Sequence, residues 1–291
     1  MNVKWAVATL TILLFSVNIY ADSKPVGYKP FRPIYKHQSF LEFGLGASVF
    51  LGDLGGGSGQ GRNSFIDTDA ESIKGCLSLE YVRNLNTFYG FGIEFTFGQL
   101  SGSDEFSENE DRNIRNLNFK SNIYEMSFTN RFTIKELKYT TNLGLERQVL
   151  LRGFVGLAGL RFNPTTAYKG KRYELQPLCL EGQDVTNEFK PYKRSVLVVP
   201  MGFNLVGFVS DHLYWGVETS FRKSFTDNID DVGQGFYQDK SELLERKGEV
   251  AVALSDRNTT GTDWAGKRRG NPENNDNYFF VKFVLGLKLR R

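Results

Sequence analysis

Cysteine and histidine are scarce in this chain, two of each in 291 residues. Cys76 and Cys179 are far apart, so at most one disulfide is open to them, and only if their Cα atoms come within bridging distance. His37 and His212 share no ligand spacing. Neither belongs to a Ser-His-Asp pattern, which leaves a hydrolase without its base. An excess of one charge is also missing. Lys and Arg number 36 against 33 Asp and Glu, a net +3, and no basic stripe marks a nucleic-acid binder. Long apolar runs are absent after the first residues, so the remainder offers no helical membrane span, which takes about 20 apolar residues.

The first residues differ. Lys4 precedes an apolar stretch over residues 6–15 broken only by Thr9 and Thr11, and Ala21 offers a small residue before Asp22. This pattern predicts a secretory signal peptide over residues 1–21. No cysteine follows the cleavage point, which argues against a lipoprotein. Residues 25–38, PVGYKPFRPIYKHQ, carry three prolines and the cations Lys29, Arg32 and Lys36. Residues 22–38 are therefore expected to form an extended, basic, Pro-rich periplasmic arm.

What is plentiful is aromatic residues and glycine: 25 Phe, 13 Tyr and 30 Gly. They fall into segments of period two. In residues 39–52, Leu41, Phe43, Leu45, Ala47, Val49 and Leu51 alternate with Glu42, Gly44, Gly46 and Ser48. The rule returns in residues 73–82, 89–98, 123–134, 196–209, 213–222 and 278–290. Residues 149–162 form an eighth strand whose faces stay unassigned, since Gly and Leu occur on both phases. These lengths suit tilted membrane strands. Alternation alone leaves open a soluble lipocalin-like barrel with its apolar face inside. The glycines favour the opposite facing. They recur on the polar face, where a water-facing strand gains nothing from them but a crowded lumen does. The expected fold is all-β: an eight-stranded antiparallel transmembrane up-and-down barrel over residues 39–291, with long extracellular loops.

On that facing the lumen holds Glu42, Lys74, Glu80, Glu94, Glu125, Arg131, Glu218, Arg222 and Lys282. Their mixed signs suit a salt-bridged plug better than a proton path or a catalytic pair, because a lone buried charge is costly. Connections at residues 83–88 and 210–212 are short, that at 135–148 is moderate, and those at 53–72, 99–118, 163–195 and 223–277 are long, the last group being expected outside. In the longest loop, residues 236–247 have helix-forming composition with Leu243 and Leu244 as anchors and Gly248 as a stop. The loop opens on RKSFTDNIDDV. Asp227, Asp230 and Asp231 lack the spacing and central glycine of an EF-hand loop. They could supply oxygen ligands to calcium, but the favoured reading is a solvated turn or an Arg-paired loop with Arg268 and Arg269 as partners, and no metal site is expected. Phe225, Thr226, Asp227, Asp230, Asp231, Arg269, Gly270 and Asn271 are the candidate loop or partner-binding residues.

Five segments in order carry a resemblance: GLGASVFLGDL closing the first strand, FNP at 162–164, WGVETSFRKSFTDNIDDV at 215–232, ALSDR at 253–257 and RRGNPENNDNYF at 268–279. Together they resemble the PorG-like small outer-membrane barrel family of Bacteroidota, associated with the type IX secretion system. The resemblance implies an eight-stranded barrel in outer-membrane lipid, without enzymatic activity, cofactor, small-molecule substrate or nucleic-acid partner. It also implies association with a periplasmic ring of proteins resembling PorK and PorN, or GldK and GldN in gliding bacteria. The arm at 25–38 and the turns at 83–88 and 135–148 would make those contacts. A general structural or adhesion barrel of the OmpA type, with no ring partner, stays open beside it.

Overall fold

The computed structural model describes residues 37–54, 72–107, 109–140, 146–184, 190–210, 212–233, 235–271 and 274–289. The expected signal peptide and nearly all of the arm lie outside the described residues. Nine strands follow in chain order: β1 (Gln38–Leu51), β2 (Lys74–Asn84), β3 (Tyr89–Ser103), β4 (Asn118–Thr140), β5 (Glu146–Tyr168), β6 (Lys171–Glu174), β7 (Ser195–Phe208), β8 (Leu213–Ser224) and β9 (Asn277–Lys288). Every pairing is antiparallel. β1 pairs with both β2 and β9, and β4 with both β3 and β5, which closes eight strands into a barrel. β6 stands outside the ring as a short hairpin on the end of β5.

The period-two pattern sets the facing. Phe43, Leu45, Phe95, Met126, Leu157, Leu197, Phe203, Trp215 and Phe283 point outward and are exposed, Leu197 by 67 %. Glu42, Glu80, Glu94, Glu125, Glu218 and Lys282 point inward and are buried. On β5 the even-numbered residues face in: Leu150, Arg152, Phe154, Ala158, Leu160 and Phe162 are buried. The inner face is thus not polar throughout. Phe40, Val82, Leu150, Val206, Phe208, Tyr214 and Val284 plug one end with an apolar cluster. At the other end Phe50, Leu100, Phe119, Ile123, Leu160, Phe162 and Phe280 join loop residues Leu54, Leu117, Leu175, Leu180, Ile229, Val232, Leu243 and Leu254 in a second one.

Inward glycines make the filling possible. At Gly286 a Cβ would fall within 2.1 Å of the Tyr214 ring, and at Gly92 within 1.9 Å of Glu80 Oε1. Each gap is occupied by a neighbour's side chain.

Several connections hold more structure than their sequences predict. β4 and β5 run on as a two-stranded hairpin: Lys135 to Thr140 pairs with Leu151 to Glu146, past the point where β3 leaves β4 at Tyr89–Phe132. The moderate connection at 135–148 is therefore mostly strand, and it projects from the short-turn end. In the 99–118 connection β3 continues to Ser103 and is followed by a helix, α1 (Glu110–Arg115), capped by the Asn109 side chain. The last long loop contains α2 (Lys240–Lys247) and α3 (Glu249–Ser255). α2 begins four residues later than its composition suggests, because the Asp239 carboxylate caps it by accepting from the Ser241 and Glu242 N–H groups at 2.8 and 3.1 Å. Gly248 ends it at φ 81°, in the left-handed region. Leu243 is fully buried and Leu244 is exposed, so one leucine anchors the helix and the other does not. Cys76 and Cys179 are both buried free thiols.

Candidate functional site

Two buried charge clusters lie along the barrel axis. The first fills the lumen between the apolar ends. Strand register sets Glu42 opposite Glu80, and Glu80 opposite Glu94, across β1, β2 and β3. Like charges directly opposite destabilise a sheet, so cations must reach them from elsewhere. Arg131 of β4 bonds Glu80, lies 3.3 Å from Glu218 and 3.9 Å from Glu42. Lys282 of β9 bonds Glu94 and lies 2.9 Å from Glu218. Arg222 of β8 donates from Nε to Glu125 at 2.9 Å and stands 3.6 Å from Glu94. Tyr278 donates its hydroxyl to Glu125 at 2.5 Å, and Tyr214 donates to Glu42. Arg131 stacks over Phe154 at 5.2 Å, and Arg222 over Phe280 at 4.8 Å.

Eight of the nine residues expected in the lumen meet in this network. Lys74 does not. It is half-buried at the long-loop rim, lining a cavity of about 270 Å³ with Ser72, Ser101, Asn118 and Thr166, because it is the first residue of β2. Arg152, Tyr214 and Tyr278 belong to the buried lumen and were not anticipated. Arg152 lies on the strand whose facing the sequence left open.

The second cluster forms a cap at the long-loop end. Asp227, Asp230, Asp231 and Arg269, named from sequence, are all buried. They are not a solvated turn, because all four are buried and the turn's own Ile229 and Val232 are part of the apolar cluster at this end. Arg269 lies 3.4 Å from Asp231 and 3.6 Å from Glu181, while Arg268 lies over the Phe236 ring at 5.9 Å. The Asn271 N–H donates to Asp53 Oδ2 at 2.6 Å. Gly270 passes so close that a Cβ there would lie 2.5 Å from that oxygen. Thr226 offers its carbonyl to the Asp276 N–H at 2.9 Å. Phe225 points away and is exposed. The sequence reading missed Asp53, Asp104, Arg115, Glu181 and Asp276. Asp53 and Asp276 lie inside two of the quoted motifs, GLGASVFLGDL and RRGNPENNDNYF, so a signal was present. Asp104, Arg115 and Glu181 lie in no motif and meet the others only through the fold. Arg115 donates to Asp104 from Nε at 2.7 Å and to the Asp53 and Arg269 carbonyls at 2.7 and 3.1 Å.

Burial, then the neighbouring charges of Asp230, Asp53 and Glu181, push Asp227 up to about 9. Asp230 and Asp276 are raised well above the carboxylate range by burial first and by neighbouring carboxylates second. Burial lifts Asp231 to about 7 against the pull of Arg269.

Fold and clusters define a class: a closed eight-stranded barrel, apolar outside, charge-filled inside and capped at one end. The chain belongs to the family described as a domain of unknown function, DUF6089, whose model matches residues 36–244. No curated protein matches it significantly. Among solved structures it is similar to Ail, the attachment invasion locus protein of Yersinia pestis, in a complex with the heparin analogue sucrose octasulfate, at 11 % identity over 87 % of this chain and 99 % of that one, TM-score 0.39. It is also similar to the N-terminal β-barrel domain of Pseudomonas aeruginosa OprF (6 % identity, 88 % and 100 % coverage, TM-score 0.36). A third similar structure is Neisserial surface protein A (5 % identity, 88 % and 100 % coverage, TM-score 0.37).

Proposed function

We propose that the protein is an outer-membrane barrel that acts by contact, anchoring a periplasmic ring of the type IX secretion machinery built from proteins resembling PorK and PorN, or GldK and GldN. The observation that carries the barrel part of this reading is the combination of an exposed apolar belt with a filled lumen. A belt of Leu, Phe and Met around a closed barrel requires lipid as its solvent. A lumen packed with paired charges between two apolar plugs gives solutes no path. The secretion role rests on the five motifs that resemble the PorG-like family.

By the habit of such barrels the short-turn end faces the periplasm. There the β4–β5 hairpin offers exposed Ile134 and Leu137 beside the Lys138–Glu136 pair, a surface suited to a partner, together with the turn at 83–88. A second reading, a general structural or adhesion barrel, is favoured by the exposed Phe225, Phe236 and Leu244 on the opposite, capped end. Affinity purification of the tagged chain from gently solubilised outer membranes, followed by mass spectrometry, separates the two. Ring proteins co-purifying support the anchor. The barrel alone, from membranes whose ring survives the same detergent, supports the general barrel.

A further inference from the structure

On the outer wall, four successive outward pairs of β4 and β5 climb from the lipid belt to the long-loop rim. They are Met126 with Gly159, Tyr124 with Arg161, Asn122 with Asn163, and Lys120 with Thr165. At the lowest pair the missing side chain of Gly159 leaves an open groove of about 480 Å³ between Tyr124, Met126 and Leu197. Arg161 and its β7 partner Ser195 close the upper end of this groove. The next two pairs line a polar cavity of about 240 Å³ together with Gln99 and Arg172. Arg172, from β6, donates to Thr165 Oγ1 at 3.1 Å, and that hydroxyl donates to the Lys120 carbonyl at 2.8 Å. Lys120, Arg161 and Arg172 are exposed, and among the described residues none of the three forms an ion pair. A further cation, Arg194, is already held by Glu174 at 2.8 Å. Glu105 shares the adjoining rim cavity with Lys74, Lys120 and Arg172, so the cations outnumber it. Apolar groove, cation, amides and two more cations thus follow one another up a single stripe of the wall.

We propose that this stripe binds a phosphorylated glycolipid of the outer leaflet, with an acyl chain in the Gly159 groove, phosphates on Arg161, Lys120 and Arg172, and sugar hydroxyls on the Asn122 and Asn163 amides. The site rests on the lipid-embedded barrel proposed above, with the long-loop end outward, and not on the ring. The groove lies within the exposed apolar belt, where its natural filling is a lipid chain. Guanidinium and ammonium groups suit phosphate oxygens, and amides serve neutral hydroxyls. Outward pairs recur about every 7 Å along a strand, so the Arg161 and Lys120 levels stand about 14 Å apart. That interval accommodates a headgroup with two phosphates and sugar between them. Long cations at a membrane rim also attract any anionic lipid. General attraction, however, has no use for the groove and no preference for a sugar.

The test inserts the full chain into phosphatidylcholine vesicles doped with one of three probes. These are lipid A (an acylated disaccharide with two phosphates), its dephosphorylated form, and phosphatidylglycerol at matched phosphate. Flotation reports insertion, and native mass spectrometry after release in mild detergent counts the lipid retained. The expected result is one lipid A per chain, retained at least about tenfold over either other probe. Gly159→Leu fills the groove and should lose most of that retention. A Cβ at this position meets no atom within 4 Å, so the thermal midpoint of the variant should match the parent. Lys120→Gln combined with Arg161→Gln should bring lipid A down to the level of its dephosphorylated form. Lys138→Gln, at the other end of β4, should bind as the parent. Equal retention of lipid A and phosphatidylglycerol would overturn the proposal and mark general charge attraction. Full retention by Gly159→Leu would overturn it as well. A chain that floats yet retains no lipid A sinks this site alone, whereas one that fails to float takes the barrel reading with it.

Discussion

In the lumen five buried carboxylates, Glu42, Glu80, Glu94, Glu125 and Glu218, face four buried cations, Arg131, Arg152, Arg222 and Lys282. In the cap seven, Asp53, Asp104, Glu181, Asp227, Asp230, Asp231 and Asp276, face Arg269 and the largely buried Arg115. Both regions are covered by apolar side chains. The difference lies in where the counter-charges come from. A barrel brings facing strands within a side chain's reach across its lumen, so long Arg and Lys side chains from β4, β8 and β9 meet glutamates from β1, β2 and β3. The cap is built from loops that bring short aspartates together around turns. Neutralisation is therefore internal in the lumen and incomplete in the cap, and perturbations should separate the two.

Removing a lumen cation should have the largest effect. Arg222→Met leaves buried Glu125 without its cation, while Glu94 keeps Lys282, and should cost about 3–5 kcal/mol, read by equilibrium urea unfolding of the barrel in micelles. A loss under about 1 kcal/mol would mean that the lumen is wet. Leu243→Ala should cost about 2–5 kcal/mol, but only in the cap. Hydrogen exchange should rise over α2 and α3 while the strands stay protected, and uniform loosening would mean that cap and barrel are one cooperative unit. Gly286→Ala pushes a methyl into the Tyr214 ring and should cost about 1–3 kcal/mol by the same urea assay. An unchanged midpoint would show that the ring has room to move.

The pH dependence sharpens the contrast by sign. Asp227 and Asp231, raised to about 9 and about 7, hold protons in the folded cap that they release when unfolded. Their stabilising contribution is complete below the unfolded carboxylate value near about 4 and is lost as pH rises through the folded values. The cap should be more stable at pH 5 than at pH 9. Hydrogen exchange, corrected for its intrinsic pH dependence, would measure this, and a cap more stable at the alkaline end would contradict it. The smallest effect should come from Leu244→Ala, within about 0.5 kcal/mol, because its side chain is exposed beside the buried Leu243.

How far the sequence could be read follows the same division. The eight barrel strands and their facing were legible wherever one phase was apolar and the other polar, as in LEFGLGASVF of β1. Reading failed on β5, whose inner face carries Leu150, Phe154, Leu160 and Phe162 because it spans both apolar plugs and the charged layer between them. It also failed at strand ends, where β4 and β5 extend beyond their neighbours and local pattern does not mark the membrane boundary. Of the cap, the DNIDDV run and Arg269 stood out by composition. Their burial did not, since nothing local distinguishes a covered aspartate from a solvated one.

By itself the sequence determined the barrel: alternation with period two specifies strands, and glycine on the polar phase specifies a crowded interior. Only the tertiary structure decided which charges meet. Glu80 with Arg131, Glu94 with Lys282, and Asp53 with Asn271 are pairs separated by 51, 188 and 218 positions. Barrel closure sets the first two, and loop packing against its mouth sets the third. Electrostatic matching at such separations depends on register and enclosure, which no local pattern encodes.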